Sequence, residues 1–456
     1  MKLFNNILLA SLVSATMFAC NSDNDDYSYL RIYHASPDAP KVNVWLDGKL
    51  ALPGVDYQQS SGAIKVKAGD HTVQVDAILP DGSVLTVLPE TLLALAKDTE
   101  YNVVAAGKAA LIGTGEATEF TSQIIDRANL TPSGARVQVM HAAPDAPMVD
   151  VFITAPGAEL ADSTPFADDV EYLGVTMATE VPAGEYRVRI TDPTDSGTVY
   201  FDSGTVTVPD GGDWFVAATN NTEAGESPVN LLVDTGETSL VVRDKDTGSD
   251  IRVVHAISDA PGVDVWVNGT APEEGSPLYN LEFKGVTDYL AVAAGDYTFD
   301  VAVNGSDPVA VVDALSLMPT LESSKTYTAI AIGNLMEETE ELYVVEDEVR
   351  RVATAAKIRA IHAATEAGVV DIYISEDASP SADDIILEDV AYKGDSTVLS
   401  VTPGEVYIMV TPADDMSTVV IGPAMVNLTA LSLNTLIAVD DGEGGITAIG
   451  LDDLDD

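Results

Sequence analysis

Apolar and polar residues alternate with a period of two in four short runs. They read Val42-Asn43-Val44-Trp45-Leu46, Val149-Asp150-Val151-Phe152-Ile153, Val263-Asp264-Val265-Trp266-Val267 and Val370-Asp371-Ile372-Tyr373-Ile374. That period places the aliphatic residues on one face of a strand and the Asn or Asp with the aromatic ring on the other. At mid-repeat stand Ala68-Gly69-Asp70, Ala183-Gly184-Glu185, Ala294-Gly295-Asp296 and Pro403-Gly404-Glu405. Each glycine lies between two alternating runs, which predicts a hairpin turn. Closing runs follow at 101–106, 214–218, 327–332 and 436–439, and no long stretch carries a 3.6-residue period. Roughly seven short strands per copy predict an all-β chain of antiparallel β-sandwiches, immunoglobulin-like or transthyretin-like, with a small barrel as the alternative.

A turn phrase precedes each alternating run: His34-Ala35-Ser36-Pro37-Asp38-Ala39-Pro40, His141-Ala142-Ala143-Pro144-Asp145-Ala146-Pro147, His255-Ala256-Ile257-Ser258-Asp259-Ala260-Pro261 and His362-Ala363-Ala364-Thr365-Glu366-Ala367-Gly368. Four of the five histidines occupy this position, at intervals of 107, 114 and 107 residues. Those intervals are too long for a solenoid and suit a duplicated domain. The domain map is therefore 29–118, 135–234, 251–341 and 357–451. Polar linkers are expected near 119–134, 235–250 and 342–356, giving an elongated rod with modest contacts between neighbours. The fifth histidine, His71, aligns with Tyr186, Tyr297 and Val406 and reads as a local substitution.

Charge narrows the partners. Seventy-three acidic against 22 basic residues leave −51. Such a surface repels nucleic acid and attracts divalent cations or basic partners. Its self-repulsion falls as salt rises, which suits a saline habitat; a merely soluble surface is the plainer account.

The N-terminus reads as an export signal over 1–19: Lys2, then an apolar run from Ile7 to Phe18 that is too short to span a bilayer. Cys20, the only cysteine, excludes an intramolecular disulfide. Met17-Phe18-Ala19-Cys20 resembles a bacterial lipobox, departing from it at Met17 and more at Phe18. The resemblance implies lipidation of Cys20, a flexible tether over 20–28 and stable anchoring by two or more acyl chains. It also implies the outer membrane, since Asn21 stands where an Asp favours inner-membrane retention. A plain secretory signal is the alternative.

The tandem phrase His-Ala-x-Pro-Asp-Ala-Pro-x-Val-Asp-Val behind such a signal resembles the bacterial domain of unknown function 4397 family. The resemblance covers nearly the whole mature chain and implies an exported, cell-surface protein with no established activity. The fourth copy departs from the phrase at Thr365, Glu366 and Gly368.

Three sets of residues could carry chemistry. The first pairs His34 with Asp38, His141 with Asp145, His255 with Asp259 and His362 with Glu366. A histidine can bond the turn backbone while the acid caps its own turn; the alternative is a metal site completed by Asn43, Asp150, Asp264 or Asp371. One histidine per domain is few for zinc. The second set is the row Trp45, Phe152, Trp266 and Tyr373 beside Asn43, Asp150, Asp264 and Asp371, either a ligand face for a glycan or rings packed across strands. The third is Asp244, Asp246 and Asp250 in a linker, a weak calcium loop with no Glu to complete it. No nucleophile elbow or repeated base–nucleophile pair occurs. The reading is a non-enzymatic, lipid-anchored envelope protein presenting four sandwiches as a stalk or a binding and adhesion module. Its partners would be a membrane and a glycan or envelope protein, with calcium as the one candidate cofactor. A periplasmic or surface carrier of a small ligand, glycan or divalent metal is the alternative.

Overall fold

The computed structural model describes residues 26–307 and 315–454. The signal segment and Cys20 lie outside the described residues. Within these bounds the chain is all-β: strands, two short 3-10 turns at Ala109–Leu111 and Leu160–Asp162, and no α-helix.

The first unit contains β1 (Tyr27–His34), β2 (Val42–Leu46), β3 (Lys49–Val55), β4 (Gln59–Ser60), β5 (Ile64–Lys67), β6 (Gly69–Ile78), β7 (Val84–Leu95), β8 (Thr99–Ala106) and β9 (Thr121–Ala128). One sheet has the order β4-β1-β8-β9, with β5 also on β1; the other has the order β3-β2-β6-β7. β1 and β8 run parallel, from Tyr29 opposite Glu100 to His34 opposite Ala105. The remaining pairings are antiparallel. In an immunoglobulin domain the first strand shares a sheet with the second; here β1 and β2 lie in different sheets. The same parallel pair recurs at each histidine strand: Ala135–His141 with Asp213–Asn220, Ser249–His255 with Thr326–Ile332, and Ala356–His362 with Leu433–Asp440.

The period-two residues build the space between the two sheets. In the first unit Leu30, Ile32, Val42, Val44, Val73, Val75 and Val103 form one buried cluster. Burying each such side chain stabilises by about 1.5–3 kcal/mol.

Three sequence expectations need correction. The mid-repeat glycine is not a hairpin turn. β5 belongs to the β1 sheet and β6 to the β2 sheet, so Ala68-Gly69 carries the chain from one sheet to the other. The same crossing occurs between Thr179–Val181 and Gly184–Asp192, and between Leu399–Val401 and Gly404–Pro412. Periodicity marks a turn between two strands but not which sheet each joins.

The expected linkers are largely strand. β9 pairs with β8, Ser239–Val242 with Val229–Asp234, and Glu341–Asp347 with Thr326–Ile332. These segments read as polar because their ion-pairing residues, Arg127 and Asp347 among them, are polar yet buried. Tyr27 and Ser28, assigned to the tether, begin β1.

The third correction concerns the rod. The sheets bearing the histidine strands are covered on both faces. Tyr33, Ala35, Val104 and Ala106 of the first unit form one buried cluster with Met140, Ala142, Phe215, Ala217 and Leu232 of the second. Val254, Ala256, Ile330 and Ile332 of the third do the same with Ile361, Ala363, Ile437 and Val439 of the fourth. The units therefore pack in face-to-face pairs, first on second and third on fourth. Arg350 then ties the segment before the fourth unit to the first: Nε donates to the Pro37 carbonyl at 3.0 Å, Nη2 to the Ala39 carbonyl at 2.5 Å and Nη1 to Asp56 at 2.8 Å. Its guanidinium lies over the Tyr57 ring, 5.3 Å from the centroid.

Candidate functional site

Each phrase histidine is buried and locks its own turn. Nε2 lies 3.0 Å from the Pro40 carbonyl for His34, 2.9 Å from Pro147 for His141, 3.2 Å from Pro261 for His255 and 2.6 Å from Gly368 for His362. Because a carbonyl only accepts, Nε2 carries the proton. Nδ1 then accepts from the Ala143, Ile257 and Ala364 amides at 3.3 Å in the last three units. All four imidazoles are 1–2% exposed. Burial lowers the pKa of each, in His34 to about 4, against the opposing pull of the carbonyl bond. The neutral ring is the folded form, with both nitrogens engaged in three units.

The acid of the phrase does not cap its own turn. Asp38 accepts from the Ala109 and Ala110 amides at 2.6 and 3.0 Å, and Asp259 from the Leu335 and Met336 amides at 3.0 and 2.9 Å. In the second unit Asn220 donates Nδ2 to Asp145 at 2.5 Å, and Lys108 pairs with the same carboxylate. In the fourth the direction reverses: Asp440 accepts from the Thr365 and Glu366 amides at 3.0 Å. In every unit a carboxylate thus joins the phrase to the end of the parallel partner strand or the loop just after it. Among the described residues no group of three or more His, Cys, Asp or Glu side chains is arranged to hold a metal ion.

The aromatic row is not a shared exposed face. Phe152 and Tyr373 are 3% and 1% exposed. Trp45 and Trp266 are half-buried, and their enclosed indole N–H groups have no acceptor. Their polar neighbours serve the backbone. Asn43 accepts from the Gly54 amide at 3.0 Å, Asp150 from Asp169 at 2.8 Å, Asp264 from Asn280 at 2.9 Å and Asp371 from Asp389 at 2.8 Å. All four donors have positive φ, between 48° and 63°, a conformation uncommon outside glycine. The carboxylate or amide fixes that kink in the neighbouring segment. For Asp264, burial raises the pKa, but the amides of Gly305 and Asn280 outweigh it and hold the carboxyl below its ordinary value.

The linker carboxylates are likewise engaged or separate. Asp244 accepts from the Asp202 amide at 2.7 Å and the Asp246 amide at 2.8 Å, and Asp246 pairs with Lys245. Asp250 shares no hydrogen bond with either. The three are not assembled as calcium ligands.

Two repeated features escaped the sequence reading. Each histidine meets an aromatic ring edge-on: Tyr57, Tyr172, Phe283 and Tyr392, at 6.2, 6.2, 6.5 and 6.4 Å between centroids. In three units a glycine follows two residues later, and its carbonyl accepts the histidine amide: Gly174, Gly285 and Gly394, at 2.9–3.0 Å. A Cβ there would stand 2.6–2.8 Å from a backbone carbonyl oxygen. The signal was Tyr-Leu-Gly, Phe-Lys-Gly and Tyr-Lys-Gly at similar offsets.

The second is a cation three residues before the histidine, on the outer face of its strand: Arg31, Arg252 and Arg359, with Gln138 in the second unit. These form the ionic rim of the pair interfaces. Glu100 of the first unit holds Arg31 at 3.5 Å, Arg127 at 2.6 Å and, across the interface, Arg136 at 3.4 Å. In the other pair Arg252 reaches Asp452 at 2.7 Å, and Arg359 reaches Asp347 at 2.8 Å. Burial pushes the Asp347 carboxyl up despite Arg252 beside it. In a strongly acidic chain, a basic residue at a fixed offset within a strand was the available clue.

These features define a class: a tandem all-β sandwich protein whose repeated polar residues organise turns and unit contacts. The family model for a domain of unknown function, DUF4397, matches residues 28–152, 135–241 and 249–373. The chain belongs to that family. No curated protein matches. Among solved structures the Bacillus anthracis TIE protein aligns at 9% identity over 91% of this chain and 69% of its own, with a TM-score of 0.16.

Proposed function

We propose that this chain is a non-enzymatic cell-envelope lipoprotein, in which four β-sandwich domains of transthyretin-like order form a locked scaffold displayed from a lipid on Cys20. The observation that carries this reading is the use of the repeated polar residues. Each phrase histidine bonds the turn it starts, and each Asn or Asp of the alternating run holds a kinked neighbour. Residues committed to the fold in every copy suit a protein whose product is shape. The face-to-face pairs support a short, stiff display body rather than a flexible stalk. The acidic surface suits contact with basic partners or cation-bridged contact with envelope glycans.

The test is metabolic labelling with a palmitate analogue, with protease applied to intact cells. Label on the wild type, none on Cys20→Ala, and release of the variant from the membrane fraction support the reading. An unlabelled wild type recovered in the soluble fraction overturns the anchoring.

A further inference from the structure

A cleft of about 680 Å³ lies where the second unit meets the third. Its volume falls within the range of small-molecule sites, about 300–1,000 Å³. Leu160, Val199 and Tyr200 give it an apolar wall. Four of its charged residues are matched within the protein: Arg187 and Asp202 pair with each other, Asp246 pairs with Lys245 outside the lining, and Asp244 accepts two backbone amides. Glu226, also on the lining, is exposed to water.

Besides the water-exposed Glu226, two charges are left over, Arg189 from the second unit and Asp250 at the start of the third. Arg189 is 6% exposed. It donates Nη2 to the Thr154 hydroxyl at 2.9 Å and the Ala158 carbonyl at 2.8 Å, while Nε has no partner. Each of the nine other arginines among the described residues forms an ion pair with a carboxylate; Arg189 forms none. Burial, then the neighbouring Arg187, lowers its pKa. Across the cleft, the half-buried Asp250 side chain has no hydrogen bond or ion pair, and burial raises its pKa. A buried charge without an ionic partner is costly, so the buried Arg189 and the half-buried Asp250, of opposite sign and lining one cavity, point to a ligand that carries both complements.

We propose that the cleft binds a small zwitterion with apolar side chains, a free amino acid or short peptide, its carboxylate on Arg189 and its ammonium on Asp250. The apolar wall receives the side chains. This site is independent of the scaffold reading, which stands if it fails.

The test is calorimetric titration of the full chain with leucine, dileucine and trileucine, which also sets the span. At least one should bind saturably, and Arg189→Gln and Asp250→Asn should each weaken it about tenfold or more. N-acetylation of the best ligand should weaken binding to the wild type and cost nothing further in Asp250→Asn. Amidation of its carboxylate should behave likewise with Arg189→Gln. Should Arg189→Gln misfold, the N-acetyl and Asp250→Asn arm decides alone. Absence of binding by all three ligands overturns the proposal, as does equal loss from either blocking group in both variants. Mutual dependence of Arg189 and Asp250 in ligand-free stability, with no binding, would show instead that the two residues close on each other.

Discussion

Arg350 and Asp56 stand 294 residues apart in the chain and form a hydrogen-bonded ion pair at 2.8 Å. With the Pro37 and Ala39 carbonyls as further acceptors, Arg350 fastens the second pair of units to the turn phrase of the first. Arg350→Ala should cost about 1–3 kcal/mol in thermal unfolding, because three acceptors lose a charged donor. Arg350→Lys should recover only part, since one ammonium cannot reproduce a fork. Unchanged stability in Arg350→Ala would show that the clamp contributes nothing.

Glu100 is shared by three guanidinium groups at the interface of the first pair. Removing one partner from a buried ionic cluster leaves uncompensated charge, at a cost of about 3–5 kcal/mol. Glu100→Gln should show that loss in urea unfolding. The loss should change little with added salt, because buried pairs are poorly screened. A loss below ~1 kcal/mol would place the cluster in water rather than between the units.

The phrase histidines make stability depend on pH. A folded pKa below the unfolded value near 6.5 means that the unfolded chain binds more protons in the interval. The contribution is therefore fully present above pH ~6.5 and declines as pH falls toward the folded value, about 4 for His34. For His34 this amounts to roughly 3 kcal/mol. Nuclear magnetic resonance titration should show each phrase imidazole protonating below its ordinary value, with His34 still neutral at pH 6 and His71 behaving separately. A phrase histidine titrating near 6.5 in the folded protein would contradict its place in the turn.

Asp264 accepts the Asn280 and Gly305 amides, both at 2.9 Å, and the Asn304 side chain at 2.8 Å. Asp264→Ala strands two backbone donors and should destabilise by roughly 2–4 kcal/mol. A neutral effect on stability with a changed ligand profile would return Asp264 to the role of a binding residue.

The strands were legible in the sequence because Val42 and Val44, and their counterparts, alternate with polar partners. The turn phrase was legible because histidine is rare in this chain and fixed in position. The pair interface was not. Tyr33 and Met140 lie on strand faces that also carry Arg31, Arg136 and Gln138, so the face looks solvated until its ion partners on distant strands are placed. The sheet crossing at Gly69 was missed because a local pattern carries no record of which sheet receives the next strand. The backbone role of the Asn or Asp in the alternating run was hidden for a similar reason. Its acceptors face a backbone amide 11–19 residues away, as Asn43 faces Gly54 and Asp150 faces Asp169, and only the fold brings that amide close.

The face-to-face pairing of units is the central claim, and hydrogen exchange of the full chain with Met140→Glu tests it most directly. Met140 belongs to the second unit but is fully buried against Tyr33 and Val104 of the first. A carboxylate there should force the pair apart. Face-to-face packing predicts faster exchange in β8, Thr99–Ala106 of the first unit, as well as around residue 140. Loss of protection confined to the second unit, with β8 unchanged, would contradict it and restore a chain of independent domains.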